Sequence, residues 1–172
     1  MNESEKKSYL KDCIDKGKAL SKKEQIQLIE LRNKKLFKLY ISGNHSLCDD
    51  AEVKLVELKD KKLFEIYISE CPLSDDAEVK LVELKDKELL EIYLSKYELF
   101  DDAEVRLIEL KNKELFELYI SKYQLSDDAK VKLIDLKDKE LFEIYISKWT
   151  VLQCVSNKIP LWKQKLSKGN FV

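Results

Sequence analysis

Four nearly identical stretches follow one another at a fixed spacing, and that spacing limits the possible folds more than any other feature of the chain. They are LCDDAEVKLVELKDKKLFEIYISECP from Leu47, LSDDAEVKLVELKDKELLEIYLSKYE from Leu73, LFDDAEVRLIELKNKELFELYISKYQ from Leu99 and LSDDAKVKLIDLKDKELFEIYISKWT from Leu125, a period of 26 residues. A more divergent copy, LSKKEQIQLIELRNKKLFKLYISGNHS, starts at Leu20 and carries one extra residue around Gly43-Asn44. Self-similarity at a fixed short period is the mark of stacked repeats, each burying its apolar surface against its neighbours. The chain therefore reads as five tandem copies, 20–46, 47–72, 73–98, 99–124 and 125–150, flanked by residues 1–19 and 151–172.

Within the copy at 73–98, Ser74 or Asp75 can cap a helix whose first turn holds Asp76 and Glu78, where the helix dipole favours negative charge. This helix A spans about 75–84. Wound at about 100° per residue, its apolar side chains fall on two sides, Ala77, Leu81 and Leu84 against Val79 and Val82, so it must be sandwiched. The pattern breaks at Asp86, and the equivalent positions Asn33, Asp60, Asn112 and Asp138 are residue types that cap helices. A second helix, B, is expected there, over about 87–96. It presents Leu89, Leu90, Ile92, Tyr93 and Leu94 around much of its circumference and leaves Glu88, Glu91 and Ser95 to water.

Helices this short are not stable alone in water, so stacking is obligatory and the ends need closing units. Residues 1–19 supply one: Tyr9, Leu10, Cys13 and Ile14 resemble a lone helix B, with Gly17 as its stop signal. Residues 151–172 read as the C-terminal cap, with Val151, Leu152, Val155, Ile159, Leu161, Trp162 and Leu166 around Pro160. Three glycines and two prolines are too few for the tight turns of an all-β sandwich or for a glycine-cradled nucleotide site. The expected fold is all-α, an α-solenoid of about five two-helix repeats with helical caps.

On the strength of LSDDAEVKLVELKDKELFEIYIS-type units in tandem, the chain resembles the α-solenoid class that includes HEAT and armadillo repeats. Its short unit is nearest in length to the leucine-rich variant repeat. That resemblance implies a curved, right-handed helical stack of the kind that binds protein or nucleic acid, and implies nothing about catalysis.

Charge and composition narrow the functional classes. Charged residues make up 38% of the chain, yet 32 Lys and Arg face 33 Asp and Glu, which excludes a simple polyanion-binding tail. No apolar run approaches the roughly 20 residues of a membrane span, and the charged N-terminus lacks a signal-peptide core, so a cytoplasmic protein with no membrane partner is expected. Cys13, Cys48, Cys71 and Cys154 are dispersed and His45 is the one histidine, a pattern that specifies no metal, cofactor or nucleophilic site. The expectation is a non-enzyme without cofactors.

Two surfaces are candidates. Positions at the end of helix B vary while the frame does not, and Tyr97, Tyr123 and Trp149 are their aromatic members, suited to anchoring a protein or peptide partner. The turns between helices A and B carry Lys59, Lys61, Lys85, Lys87, Lys111, Lys113, Lys137 and Lys139, a stripe that would suit phosphates if the partner were nucleic acid. The recurring Asp pairs, from Asp49-Asp50 to Asp127-Asp128, read as helix-start residues, and the column Tyr40, Tyr67, Tyr93, Tyr119 and Tyr145 as a packed aromatic ladder. Residues 1–46 and 151–172 are net basic and the stretch between them is net acidic, which also admits self-association or a self-assembling structural element. The leading expectation is a protein- or peptide-binding scaffold.

Overall fold

The computed structural model describes residues 2–43 and 45–153, and within them every regular element is an α-helix. The C-terminal cap expected over 151–172 lies outside the described residues beyond Gln153. The chain divides into two compact units, Met1–Tyr97 and Glu98–Val172.

In the first unit, α1 (Glu3–Asp15) precedes three helix pairs: α2 (Lys22–Glu30) with α3 (Lys34–Ser42), α4 (Asp49–Glu57) with α5 (Lys61–Ile68), and α6 (Asp75–Glu83) with α7 (Lys87–Leu94). Like packs on like, α2 on α4 on α6 and α3 on α5 on α7, while α1 leans on α2 and α3. In the second unit, α8 (Asp101–Glu109) pairs with α9 (Lys113–Ile120), and α10 (Asp127–Asp135) with α11 (Lys139–Gln153). There α8 packs on α10 and α9 on α11. The architecture is thus a run of successive helix pairs, a helical repeat.

Local chemistry explains the boundaries. Asn33, Asp60, Asp86, Asn112 and Asp138 each accept the backbone N–H three residues on at the start of a B helix, satisfying a donor that the helix leaves orphaned. At the other junction the cap residue is Cys48, Ser74, Phe100 or Ser126, and the following Asp pair falls inside the first turn. The fifth copy departs from its expected limit, since α11 continues through residue 150 to Gln153. In the other copies a new Asp-Asp start follows the B helix, and after Trp149 the sequence offers none.

The core is made by the repeating side chains. Ala77, Leu81, Val82, Leu89, Leu90, Tyr93 and Leu94 are buried, as are nearly all their counterparts, whereas Val79 and Leu84 are only half-buried. Helix A therefore buries one broad face rather than two opposed ones. The N-terminal helix is tied on by Tyr9, whose hydroxyl donates to Glu24 at 2.6 Å. Hydrogen bonds from Ser21 and then Tyr9 hold the Glu24 carboxyl down at about 2.

Between helices A and B the chain turns through the left-handed region at Arg32, Lys59, Lys85, Lys111 and Lys137, with φ of 49° to 54°. The N–H of Lys85 returns to the Val82 carbonyl at 3.2 Å, a turn that usually ends in glycine. A side chain in this region costs about 1–2 kcal/mol, and a cation here is favoured by the negative helix C-terminus. Lys85→Gly is expected to stabilise the fold by about 0.5–1 kcal/mol, the relief of strain being partly offset by the freer unfolded chain. Lys85→Ala, which keeps the strain, should give no such rise in the urea midpoint.

Candidate functional site

The deepest feature of the repeat is a buried acid. Glu52, Glu78 and Glu104 sit in the first turn of α4, α6 and α8, yet each is buried. The hydroxyl of the ladder tyrosine in the same copy donates to each: Tyr67 to Glu52, Tyr93 to Glu78 and Tyr119 to Glu104. The second carboxylate oxygen takes the backbone N–H that opens the next copy, Ser74 to Glu52 at 2.6 Å and Ser126 to Glu104 at 2.9 Å. One side chain thereby fastens its own B helix and the start of the following A helix. In the first copy Gln25 does the same work, its Nε2 donating to the Tyr40 hydroxyl at 3.1 Å and its Oε1 accepting from Cys48 at 2.8 Å.

Sequence reasoning missed this network, since an acid in a first turn is already accounted for by the helix dipole. The available signal was the substitution pattern, Gln25 in the first copy and Lys130 in the last, at an otherwise fixed Glu. Burial pushes the tyrosine hydroxyls of Tyr67 and Tyr93 up, and their hydrogen bonds to the carboxylates add to it. Burial also raises Glu104 above the usual carboxylate range, against the hydrogen bonds from Ser126 and Tyr119 that lower it.

The candidate partner residues lie on this framework. Tyr97 is half-buried with its ring 5.5 Å from that of Tyr93, and Tyr123 is half-buried 5.7 Å from Tyr119. In the first copy His45 holds the same place, stacked 4.9 Å from Tyr40. The variable position, held by His45, Cys71, Tyr97, Tyr123 or Trp149, is thus a lid over the ladder tyrosine where it is His45, Tyr97 or Tyr123. Burial raises both the Cys71 thiol and the Tyr97 hydroxyl, and neighbouring acid and thiol charges add to it.

A second variable column was not anticipated. At the cap position held by Cys48, Ser74 and Ser126, the copy beginning at Leu99 has Phe100, which is 50% exposed. Phe100 lines an open groove of about 450 Å³ in the second unit, together with Glu98, Leu99, Asp101, Gln124 and Leu125. Its walls combine apolar side chains, carboxylates, the Gln124 amide and Ser126, with no basic group among the lining residues.

The turn lysines are placed differently. Lys59, Lys85, Lys111 and Lys137 are the left-handed turn residues themselves. Lys61 pairs with Glu88, Lys113 with Glu140, Lys111 lies 3.9 Å from Asp138 and Lys139 lies 3.6 Å from Glu143. Lys87 also has a polar partner. Along the turns of each unit these lysines are interleaved with acids.

Among the described residues, no group of His, Cys, Asp and Glu is arranged to hold a metal ion, and no helix is long and apolar enough to cross a membrane. Compared with known proteins, the chain matches no family model, no curated protein and no solved structure.

Glu104→Ala should cost about 2–6 kcal/mol, because it strands the buried Tyr119 hydroxyl and the part-buried Ser126 N–H at about 1–3 kcal/mol each. Glu104→Gln, which copies Gln25, should hold both partners and remain close to wild type in urea. The unfolded carboxyl ionises near about 4.3, below the raised folded value. Across that window the folded chain keeps a proton the unfolded chain has released, so this group makes stability fall as pH rises. Denaturation of Glu104→Gln at a series of pH values should lack that slope. Tyr67 and Tyr93 carry the same sign at higher pH: tyrosinate absorbance from them should appear only together with loss of helical circular dichroism, above about pH 10.

Proposed function

We propose that this protein is a non-enzymatic scaffold of the α-solenoid type, its helix pairs forming a right-handed superhelix that binds a protein or peptide partner. The contact edge is the junction where one copy ends and the next begins. The observation that carries the reading is that the aromatic variation left partly exposed falls at that edge, with Tyr97 in the first unit and Phe100 and Tyr123 in the second, whereas the one aromatic change within the helix-B frame, Leu90 for phenylalanine, is buried. Half-exposed aromatic rings backed by a rigid core present large contact area at low entropic cost, which is what interface anchors require.

The test compares the wild-type protein with a Tyr97→Ser, Phe100→Ser, Tyr123→Ser variant, both immobilised and exposed to nuclease-treated lysate. Ser is the cap residue at three of the positions equivalent to Phe100, so the fold should be retained, as checked by circular dichroism. Loss of a specific captured protein by the variant, with at least tenfold weaker affinity once that protein is purified, is expected; capture unchanged by the variant would remove the edge from the reading. Tenfold corresponds to about 1.4 kcal/mol, modest for interface aromatics.

The recurring turn cations carry a second reading, nucleic-acid binding. It requires that Lys85, Lys87, Lys111 and Lys113 changed together to Gln lower both the affinity for RNA or DNA and the slope of affinity against salt. Absence of any binding at low salt would eliminate it.

A further inference from the structure

The last described helix pair differs from the one before it. Ile108 of α8 and Phe116 and Ile120 of α9 are buried, on helices over which α10 and α11 pack. Their counterparts one copy later, Ile134, Phe142 and Ile146, are only half-buried. Val131 is 49% exposed, whereas Val105 is half-buried. The inter-copy fastening changes at the same place. Lys130 occupies the position of the buried Glu and reaches back to Asp127 at 2.9 Å, so no carboxylate there awaits the backbone N–H of a following copy. Finally, the indole Nε1 of Trp149 is buried without a hydrogen-bond partner.

The stretch that comes directly after this pair is not a sixth copy, because residues 150–172 contain no Asp-Asp helix start. What does follow, directly from the end of α11, is the stretch 154–172. It contains Val155, Ile159, Leu161, Trp162 and Leu166, four lysines and no acidic residue. The acids of α10 and α11, among them Asp127, Asp128, Asp135 and Glu143, are exposed and of complementary sign. Apolar content, charge and point of departure all match the face left open.

We propose that residues 154–172 of the same chain cover the end face of α10 and α11, burying Val131, Ile134, Phe142 and Ile146 and supplying the acceptor for the Trp149 indole. The segment replaces the missing sixth copy and takes Trp149 out of reach of a partner, so Trp149 differs in role from Tyr97 and Tyr123. This holds whether or not the scaffold reading does.

Trp149 and Trp162 are the two tryptophans of the chain, so Trp162→Phe makes Trp149 the single reporter. In that background the full chain is compared with a chain ending at Gln153 and with a full-length Leu161→Asp, Leu166→Asp variant. Emission, acrylamide quenching and urea unfolding are read at several protein concentrations. The expected result is blue-shifted, protected emission in the full chain, with a red shift, several-fold stronger quenching and a lower urea midpoint in both altered chains. If the shortened chain fails to fold, the double Asp variant gives the same comparison. Unchanged quenching and an unchanged midpoint in the altered chain would overturn the proposal. Protection that disappears on dilution would also overturn it, by assigning the face to the tail of a second copy.

Discussion

A buried carboxylate shared between consecutive copies is the constraint on which the remainder of this structure depends. Burying an acid is costly unless each of its oxygens is engaged, and Glu52 meets that condition with Tyr67 of its own copy and the Ser74 N–H of the next. The arrangement fixes three things together. The ladder residue must carry a hydroxyl, the next copy must begin with a free backbone N–H, and the interval between them must be held. Glu52 and Ser74 are 22 residues apart, while Gln25 and Cys48 are 23 apart. The extra residue of the first copy is therefore absorbed in the loop at Gly43 without disturbing the network. His45 still reaches the Tyr40 ring.

The same network explains where this chain is free to vary. At Cys48 and Ser74 the backbone N–H is held by the preceding copy, and neither side chain makes a capping hydrogen bond. Ser126, its N–H held in the same way, does cap the Ala129 N–H, so side-chain capping is optional at this position, and Phe100 occupies it without one. The residue over each ladder tyrosine is free in a similar sense. The hydroxyl below is already engaged, so an imidazole over Tyr40 and a phenol over Tyr93 or Tyr119 serve equally as lid. Freedom at these two columns is a consequence of rigidity beneath them, and both columns lie on one edge of the repeat.

The architecture was legible because the period, the apolar spacing and the Asn or Asp at the A-to-B turn agree with one another, each pointing to a helix pair. Three features were not. The burial of Glu52, Glu78 and Glu104 was hidden because Asp49 and Glu52 look alike in sequence, yet one is exposed and the other is enclosed by the following copy. The left-handed turns were hidden because lysine at 59, 85, 111 and 137 reads as surface charge rather than as backbone strain. The length of α11 was hidden because a helix ends where something stops it, and the stop in the other copies comes from the next copy. The first and last of these concern a relation between copies, which a single copy read in isolation does not contain, and the second concerns backbone conformation that a charged side chain does not announce.

Those lysines bear on how the two functional readings weigh against each other. Lysine at the left-handed position is the poorer backbone choice, offset by the helix C-terminus that its charge faces. Cations one turn further on are drawn into pairs that cross from one helix to the next of its kind, Lys61 with Glu88 and Lys113 with Glu140. The A helices repeat the device at Lys80 with Glu57 and Lys132 with Glu109. Exposed pairs of this sort contribute about 0–1 kcal/mol each, but their recurrence at successive junctions holds the register of like helices. A cation so engaged releases little counterion atmosphere on meeting a phosphate, since its neighbouring acid remains beside it. The aromatic edge offers a different surface: Tyr97 is half-buried beside Tyr93 and Phe100 is 50% exposed, so what these rings leave uncovered is apolar surface on a rigid support. That asymmetry favours a protein or peptide at the edge over a nucleic acid along the turns.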